Sequence, residues 1–141
     1  MDTTGFAPWQ VLEPILEHTE LISYDIKHMD PERHRELTGV GNKLILQNAE
    51  RIVEKGIPLV IRVPLIPGCN DSKENMEALA EFAVKLGVQK INLIPYHKLG
   101  VSKYERFGMK YPLPDTQSFE KNQVDTIQMG LESHGLEITV I

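Results

Sequence analysis

The sequence predicts an α/β fold with a mainly parallel sheet, and two features of the chain support this. Short apolar runs alternate with segments of helical periodicity, at a spacing that leaves room for a helix between successive parallel strands. With 141 residues, 41% of them hydrophobic and 25% charged, the chain is long enough for one domain with a core of its own. It is short for a complete α/β barrel. We therefore expect a single domain over 1–141.

Four apolar runs have the pattern of strands. They cover 21–27, 59–63, 90–94 and 137–141. Because side chains alternate along a strand, Asp25 and Lys27 of the first run share one face. The apolar residues Ile22, Tyr24 and Ile26 occupy the other face, which suits contact with covering helices.

Five helices are predicted from capping residues, prolines and glycines. The predicted starts are Pro8 in a first helical turn, Pro31 after an Asp30 cap, an Asn42 cap, Asp71 or Ser72, and Thr116 or Ser118. The last four of these helices are predicted to end at Gly39, at Gly56, at Gly87 and before Gly135.

Composition excludes several classes of function. The formal net charge of −5 is spread along the chain, which argues against nucleic acid or an anionic membrane as the main partner. Neither a signal peptide nor a long apolar span occurs, so a cytoplasmic location is expected. The lone cysteine, Cys69, excludes a disulfide, a zinc site or a cluster built from cysteines within one chain. It is interpreted as a bystander thiol in a turn.

Ligands of parallel α/β sheets bind at the carboxyl ends of the strands, so polar residues there are the candidates for function. Asp25 and Lys27 suit a zwitterion or a cation, but they equally suit a plain ion pair between strands. His97 could contact a ligand or make a structural hydrogen bond. Arg62 lies mid-strand, where an internal ion pair and a substrate contact are both open. Asp2-Thr3, taken alone, is consistent with a frayed terminus.

Several short sequence segments follow one another along practically the whole chain. They are Asp25-Ile26-Lys27 with 28–30, Leu37-Thr38-Gly39-Val40, 61–68 with its Pro67-Gly68, Asn70-Asp71, Pro95-Tyr96-His97 within 93–100, and Lys103-Tyr104. In their order and at close to these separations, the segments resemble the glycyl-radical-enzyme activating enzymes, the pyruvate formate-lyase activating enzyme family of the radical S-adenosylmethionine (SAM) superfamily.

The resemblance implies a partial (β/α) TIM-like barrel that in this chain lacks its first strands. It also implies a [4Fe–4S] cluster held by a CxxxCxxC loop, which cleaves SAM to make a glycyl radical on a partner such as pyruvate formate-lyase. Neither CxxxCxxC nor a GGEP-like element occurs here. The chain is therefore expected to be the C-terminal part of such an enzyme, inactive alone and binding neither SAM nor a cluster tightly.

The resemblance also implies roles for particular residues. Asp25 and Lys27 would contact polar groups of SAM, and His97 would lie near its nucleoside. Asp2 and Thr3 would belong to the same neighbourhood, and the carboxylates of Asp2 and Asp25 would hold a monovalent cation. Arg62 would face the partner protein. These roles require Asp2, Asp25 and His97 to meet at one end of the sheet, with Lys27 at the rim.

An alternative is a non-catalytic binding module for a glycyl radical enzyme or another subunit, with the aromatic segment 99–115 as its contact surface. In either case the missing strands predict an open sheet edge and an uncovered inner face that includes Leu21 and Leu93. A homo-oligomer through this edge or face is therefore expected.

Overall fold

The computed structural model describes residues 1–97, 106–108 and 116–141. The segment 99–115 that the sequence suggests as a contact surface lies outside the described residues, apart from 106–108. The elements in chain order are β1 (Asp2–Thr3), α1 (Trp9–Leu16), β2 (Ile22–Asp25), α2 (Pro31–Thr38), α3 (Lys43–Glu54), β3 (Leu59–Leu65), α4 (Lys73–Leu86), β4 (Lys90–Pro95), α5 (Lys121–Glu132) and β5 (Glu137–Val140). None of the helices in this part of the chain is long and apolar enough to cross a membrane.

The strands form one five-stranded parallel sheet in the order β1-β2-β3-β4-β5, so each strand pairs with its neighbours in sequence. This confirms the predicted α/β class and the four predicted strands. A fifth strand, Asp2–Thr3, pairs in register with Ser23 and Tyr24, so this segment is part of the sheet and not frayed. Because the five strands are parallel, their carboxyl ends lie along the same edge of the sheet.

Alternation along the strands separates a buried face from a half-buried one. The buried face packs with the helices in one hydrophobic core, and it includes Ile22, Tyr24, Ile61, Ile91 and Leu93. The expectation that Leu93 belongs to the uncovered inner face is wrong, because Leu93 is 0% exposed and shares its face with Ile91. The inner face instead carries the alternating residues Asn92 and Ile94 of β4.

Three of the predicted helix boundaries hold in detail. The Asp30 carboxylate accepts hydrogen bonds from the amides of Glu32 and Arg33, and Gly39 closes α2 in a left-handed conformation. The hydroxyl of Ser72, and not the carboxylate of Asp71, caps α4.

Three predicted helix starts need correction. Pro8 precedes α1 instead of lying inside its first turn. Asn42 holds the capping position of α3, but its side chain makes no cap and binds the chain after β2. The last helix begins at Lys121 after a Glu120–Gln123 capping box, later than Thr116 or Ser118.

The segment after β1 is fixed by a close approach to β2. Gly5 has φ +66°, and a Cβ atom there would lie 1.7 Å from the Tyr24 hydroxyl. That hydroxyl donates a 2.6 Å hydrogen bond to the carbonyl of Ile45, while Asn48 donates to the carbonyls of Gly5 and Ala7. α3 and β2 together therefore hold the turn that follows Asp2–Thr3.

Candidate functional site

Three neighbouring strands are joined by one arginine on the half-buried face of the sheet. Arg62 lies opposite Asp25 in the β2–β3 register, and its Nε donates a 2.6 Å bond to Asp25 Oδ1. Its Nη1 reaches past β2 and donates a 2.9 Å bond to Asp2 Oδ2. Lys27 Nζ lies 3.2 Å from Asp25 Oδ2. Asp2, Asp25, Lys27 and Arg62 thus form one charged cluster, with acids and bases alternating.

The cluster is only partly shielded from solvent. The side chains of Asp25 and Arg62 are 14% and 24% exposed, whereas that of Asp2 is 65% exposed. The hydrogen bond from Arg62, helped by the Ser23 hydroxyl, lowers the pKa of the Asp2 carboxyl. The hydrogen bond to Asp25, against the effect of burial, raises the pKa of the Arg62 guanidinium. Both pKa shifts favour the charged forms of Asp2 and Arg62.

Beyond the charged cluster, the backbone hydrogen bonds between β2 and β3 end, and the side chain of Asn70 connects the two strands instead. The last ladder bond runs from the Ile26 amide to the Arg62 carbonyl. The next donor on β3 would be residue 64, and Pro64 has no N–H. The Asn70 side chain donates instead to the carbonyls of Lys27 and Pro64, at 2.9 and 2.8 Å. Asn70 therefore fixes the backbone of Lys27.

Two more asparagines hold the chain that follows Lys27. Asn75 accepts a bond from the Met29 amide and donates to the Asn70 carbonyl. Asn42 donates to the carbonyls of His28 and Met29, at 3.0 and 2.6 Å. The amide of residue 30 in turn donates to Nδ1 of His28, which keeps the buried imidazole in its acceptor form at this nitrogen. The Lys27 backbone is thus anchored on both sides.

A cavity of about 390 Å³ opens beside this network. Its lining residues come from the ends of β2 and β3, the end of α2 and the turn before α4: Lys27, Leu37, Thr38, Pro64, Ile66, Cys69 and Asn70. Four of the segments that carry the family resemblance, those around Lys27, Leu37-Thr38, Pro64 and Asn70, therefore gather at the carboxyl edge of the sheet.

The structure brings together only some of the predicted site residues. Asp2 and Asp25 are joined through Arg62, and Lys27 pairs directly with Asp25. Thr3 follows Asp2 and accepts a hydrogen bond from the Gly5 amide. His97 follows β4 at the same end of the sheet and is exposed. The contacts known for the described residues do not join His97 to the charged cluster.

An iron–sulfur cluster does not fit the residues of this chain. The chain has one cysteine, and among the residues that the structure describes no three His, Cys, Asp or Glu side chains lie together as a metal-binding group. A [4Fe–4S] cluster requires several thiolates. The charged cluster instead offers alternating carboxylates and cationic groups, which are complementary to a ligand that carries both an amine and a carboxylate.

The sequence reasoning missed the asparagines that shape this edge. Asn42, Asn70 and Asn75 are each less than 7% exposed, and their amide groups satisfy backbone atoms far along the chain. The available signal is Asn70 itself, which stands two residues after Pro67-Gly68 within the segments that carry the resemblance.

The chain is similar in sequence to activating enzymes of known partners. It is 34% identical to the choline trimethylamine-lyase activating enzyme of Oleidesulfovibrio alaskensis, over 100% of this chain and 47% of that protein. It is 37% identical to the indoleacetate decarboxylase activating enzyme of Tractidigestivibacter scatoligenes, over 94% of this chain and 42% of that protein. The chain thus spans less than half the length of these relatives. No protein-family model matches it.

Solved structures agree with this relationship. A radical SAM methyltransferase from Sphaerobacter thermophilus superimposes over 99% of this chain and 39% of its own, with a TM-score of 0.75 at 18% identity, which indicates a shared fold. A domain of pyruvate-formate lyase-activating enzyme from Bacteroides vulgatus superimposes over 99% of this chain and 78% of its own, with a TM-score of 0.81 at 30% identity. With relatives of this kind in both sequence and structure, the chain belongs to the glycyl-radical-enzyme activating enzyme family of the radical SAM superfamily.

Proposed function

We propose that this chain is the C-terminal part of an activating enzyme that generates a glycyl radical on a partner enzyme of the pyruvate formate-lyase kind. The observation that carries the proposal is the cluster of Asp2, Asp25 and Lys27 at the carboxyl edge of a parallel sheet, on the half-buried face. In the complete enzyme, SAM and a [4Fe–4S] cluster held elsewhere would supply a 5′-deoxyadenosyl radical. The residues of this chain would bind and orient SAM and shield the reacting groups. The enzyme would act in the cytoplasm.

Individual roles follow from charge. Lys27 offers its ammonium to the carboxylate of a bound amino acid group, and Asp25 offers a carboxylate to the corresponding amine. Asp2 and Thr3 would complete the wall of this site, and His97 would approach the nucleoside part of SAM from the end of β4. Arg62 would face the partner enzyme.

Titration of SAM into the ¹⁵N-labelled chain, followed by NMR, tests the proposal. Without a cluster to anchor the amino acid group of SAM, we expect a Kd of about 1 mM, equivalent to about 4 kcal/mol. The shifted amides should be those of 23–28 and of the residues around His97. Reconstitution with iron and sulfide should give no [4Fe–4S] absorbance, because one thiolate cannot hold the cluster.

Two variants sharpen this test. Lys27→Met should abolish the shifts at 23–28, whereas Asp125→Asn, an exposed change in α5 far along the sequence, should leave them intact. Unchanged spectra of the wild-type chain at 10 mM SAM, or equal shifts in both variants, would contradict the proposed site.

We also propose that two copies associate through the surfaces that the sheet leaves open. Within the described residues β1 and β5 are the edge strands, and such edges pair readily with another chain. Leu21, Val11 and Ile15 are 49%, 55% and 46% exposed, which adds exposed apolar area. Light scattering at about 10 μM, a range typical of weak dimers, should give a mass above that of one chain; a mass of 16.0 kDa would refute association.

A further inference from the structure

The family resemblance implies a monovalent cation between Asp2 and Asp25, and the geometry of the charged cluster can be compared with that expectation. A bound cation needs carboxylate oxygens that are free to coordinate it, and it needs a site whose negative charge it offsets. Both conditions can be read from the contacts of the four charged residues.

Three of the four carboxylate oxygens of Asp2 and Asp25 already have a cationic partner. Asp25 Oδ1 accepts from Arg62 Nε at 2.6 Å, and Asp25 Oδ2 is 3.2 Å from Lys27 Nζ. Asp2 Oδ2 accepts from Arg62 Nη1 at 2.9 Å. A metal ion between the two aspartates would therefore compete with the guanidinium of Arg62 and the ammonium of Lys27 for these oxygens.

The charge is already offset as well. Two carboxylates face one guanidinium and one ammonium, so the formal charge of the cluster is zero. Arginine keeps its charge at every accessible pH, and its planar fork suits two carboxylates at once. An added monovalent cation would leave an excess positive charge beside the half-buried side chains of Asp25 and Arg62.

We propose that Arg62 takes the place of the monovalent cation, as a fixed counter-ion that bridges Asp2 on β1 and Asp25 on β2. The wild-type chain then has no specific need for Na⁺ or K⁺. Removal of the guanidinium leaves two facing carboxylates with only Lys27 to offset them, and this vacated position takes up a monovalent cation. The inference rests on the placement of the four side chains, and its test does not require SAM.

Thermal unfolding of the wild-type chain and of Arg62→Gln, in KCl, NaCl and tetramethylammonium chloride at equal ionic strength, tests the proposal. Tetramethylammonium screens charge in the same way but is too large to coordinate two carboxylates. The wild-type Tm should be equal in the three salts. Arg62→Gln should melt lower in tetramethylammonium, and 100 mM K⁺ or Na⁺ should restore about 4 °C for a cation Kd of about 10 mM.

The double variant Arg62→Gln with Asp25→Asn is the matched control and should lose the response to K⁺ and Na⁺. A second measurement covers the case in which Arg62→Gln does not fold: the ²³Na NMR line width of NaCl with the wild-type chain should equal that with the Asp25→Asn variant. A wild-type Tm that rises specifically with K⁺ or Na⁺, a ²³Na line broadened by the wild-type chain alone, or a folded Arg62→Gln that shows no cation response would each overturn the proposal. If SAM fails to bind but these results are obtained, the proposed function fails and this inference stands.

Discussion

Asn70 is expected to be one of the most sensitive positions in the chain, because a single side chain replaces a strand ladder that Pro64 interrupts. Its amide group is 2% exposed and makes three hydrogen bonds: two donated to the carbonyls of Lys27 and Pro64, and one accepted from the Ile66 amide at 2.8 Å. Asn70→Ala removes all three and leaves their partners without compensation.

The size of the effect follows from these contacts. A buried hydrogen bond contributes about 1 kcal/mol net, and stranded buried partners cost more, so Asn70→Ala should lower the free energy of unfolding by about 3–5 kcal/mol. That is a large share of a total stability that is typically about 5–15 kcal/mol. The anchoring of the Lys27 backbone should be lost at the same time.

Urea unfolding monitored by circular dichroism measures this change. Lys73→Ala provides a nearby control, because the Lys73 side chain is 84% exposed and its ion pair with Glu77 is long, at 3.5 Å; its effect should stay within about 0.5 kcal/mol. If Asn70→Ala unfolds within 1 kcal/mol of the wild-type chain, on the scale of a single hydrogen bond, the reasoning that Asn70 substitutes for the ladder is refuted.

Other expected outcomes concern the turn after β1, the α2 cap and pH. Gly5→Ala should destabilise the chain by about 2 kcal/mol more than Gly68→Ala, because both glycines have positive φ but only at Gly5 would a Cβ atom strike the buried Tyr24 ring; equal losses in chemical denaturation would contradict this. Asp30→Ala should cost about 1 kcal/mol, since its carboxylate caps two amides of the first turn of α2, and no change in midpoint would argue against the cap. Burial lowers the pKa of His28, so the unfolded chain takes up a proton first as pH falls, and stability should decline below about pH 6.5 while staying flat above about pH 7. Melting curves across this range should show a shallower decline for His28→Asn; identical slopes would indicate that His28 does not contribute.

Much of the fold was readable from local sequence. Period-two alternation from Ile22 to Lys27 identified the face that carries Asp25, because each side chain of a strand is fixed to one side by the backbone alone. Asp30-Pro31 and Gly39 located α2 because capping depends on residues within one turn of each other. The resemblance added the family, which sequence and structural relatives then confirmed.

Tertiary structure decided what the polar residues do, because their partners lie far away in sequence. Arg62 was compatible with an ion pair or a ligand contact until the sheet order placed it within reach of carboxylates 37 and 60 residues away. Asn42 occupies a capping position that its neighbours in sequence predict, yet its amide group binds carbonyls 13 and 14 residues earlier. The face predicted for Leu93 is wrong, because packing of the sheet against the helices decides which side chains of β4 are buried. Local sequence determines which groups a segment can offer, and only the assembled sheet determines which partners they meet.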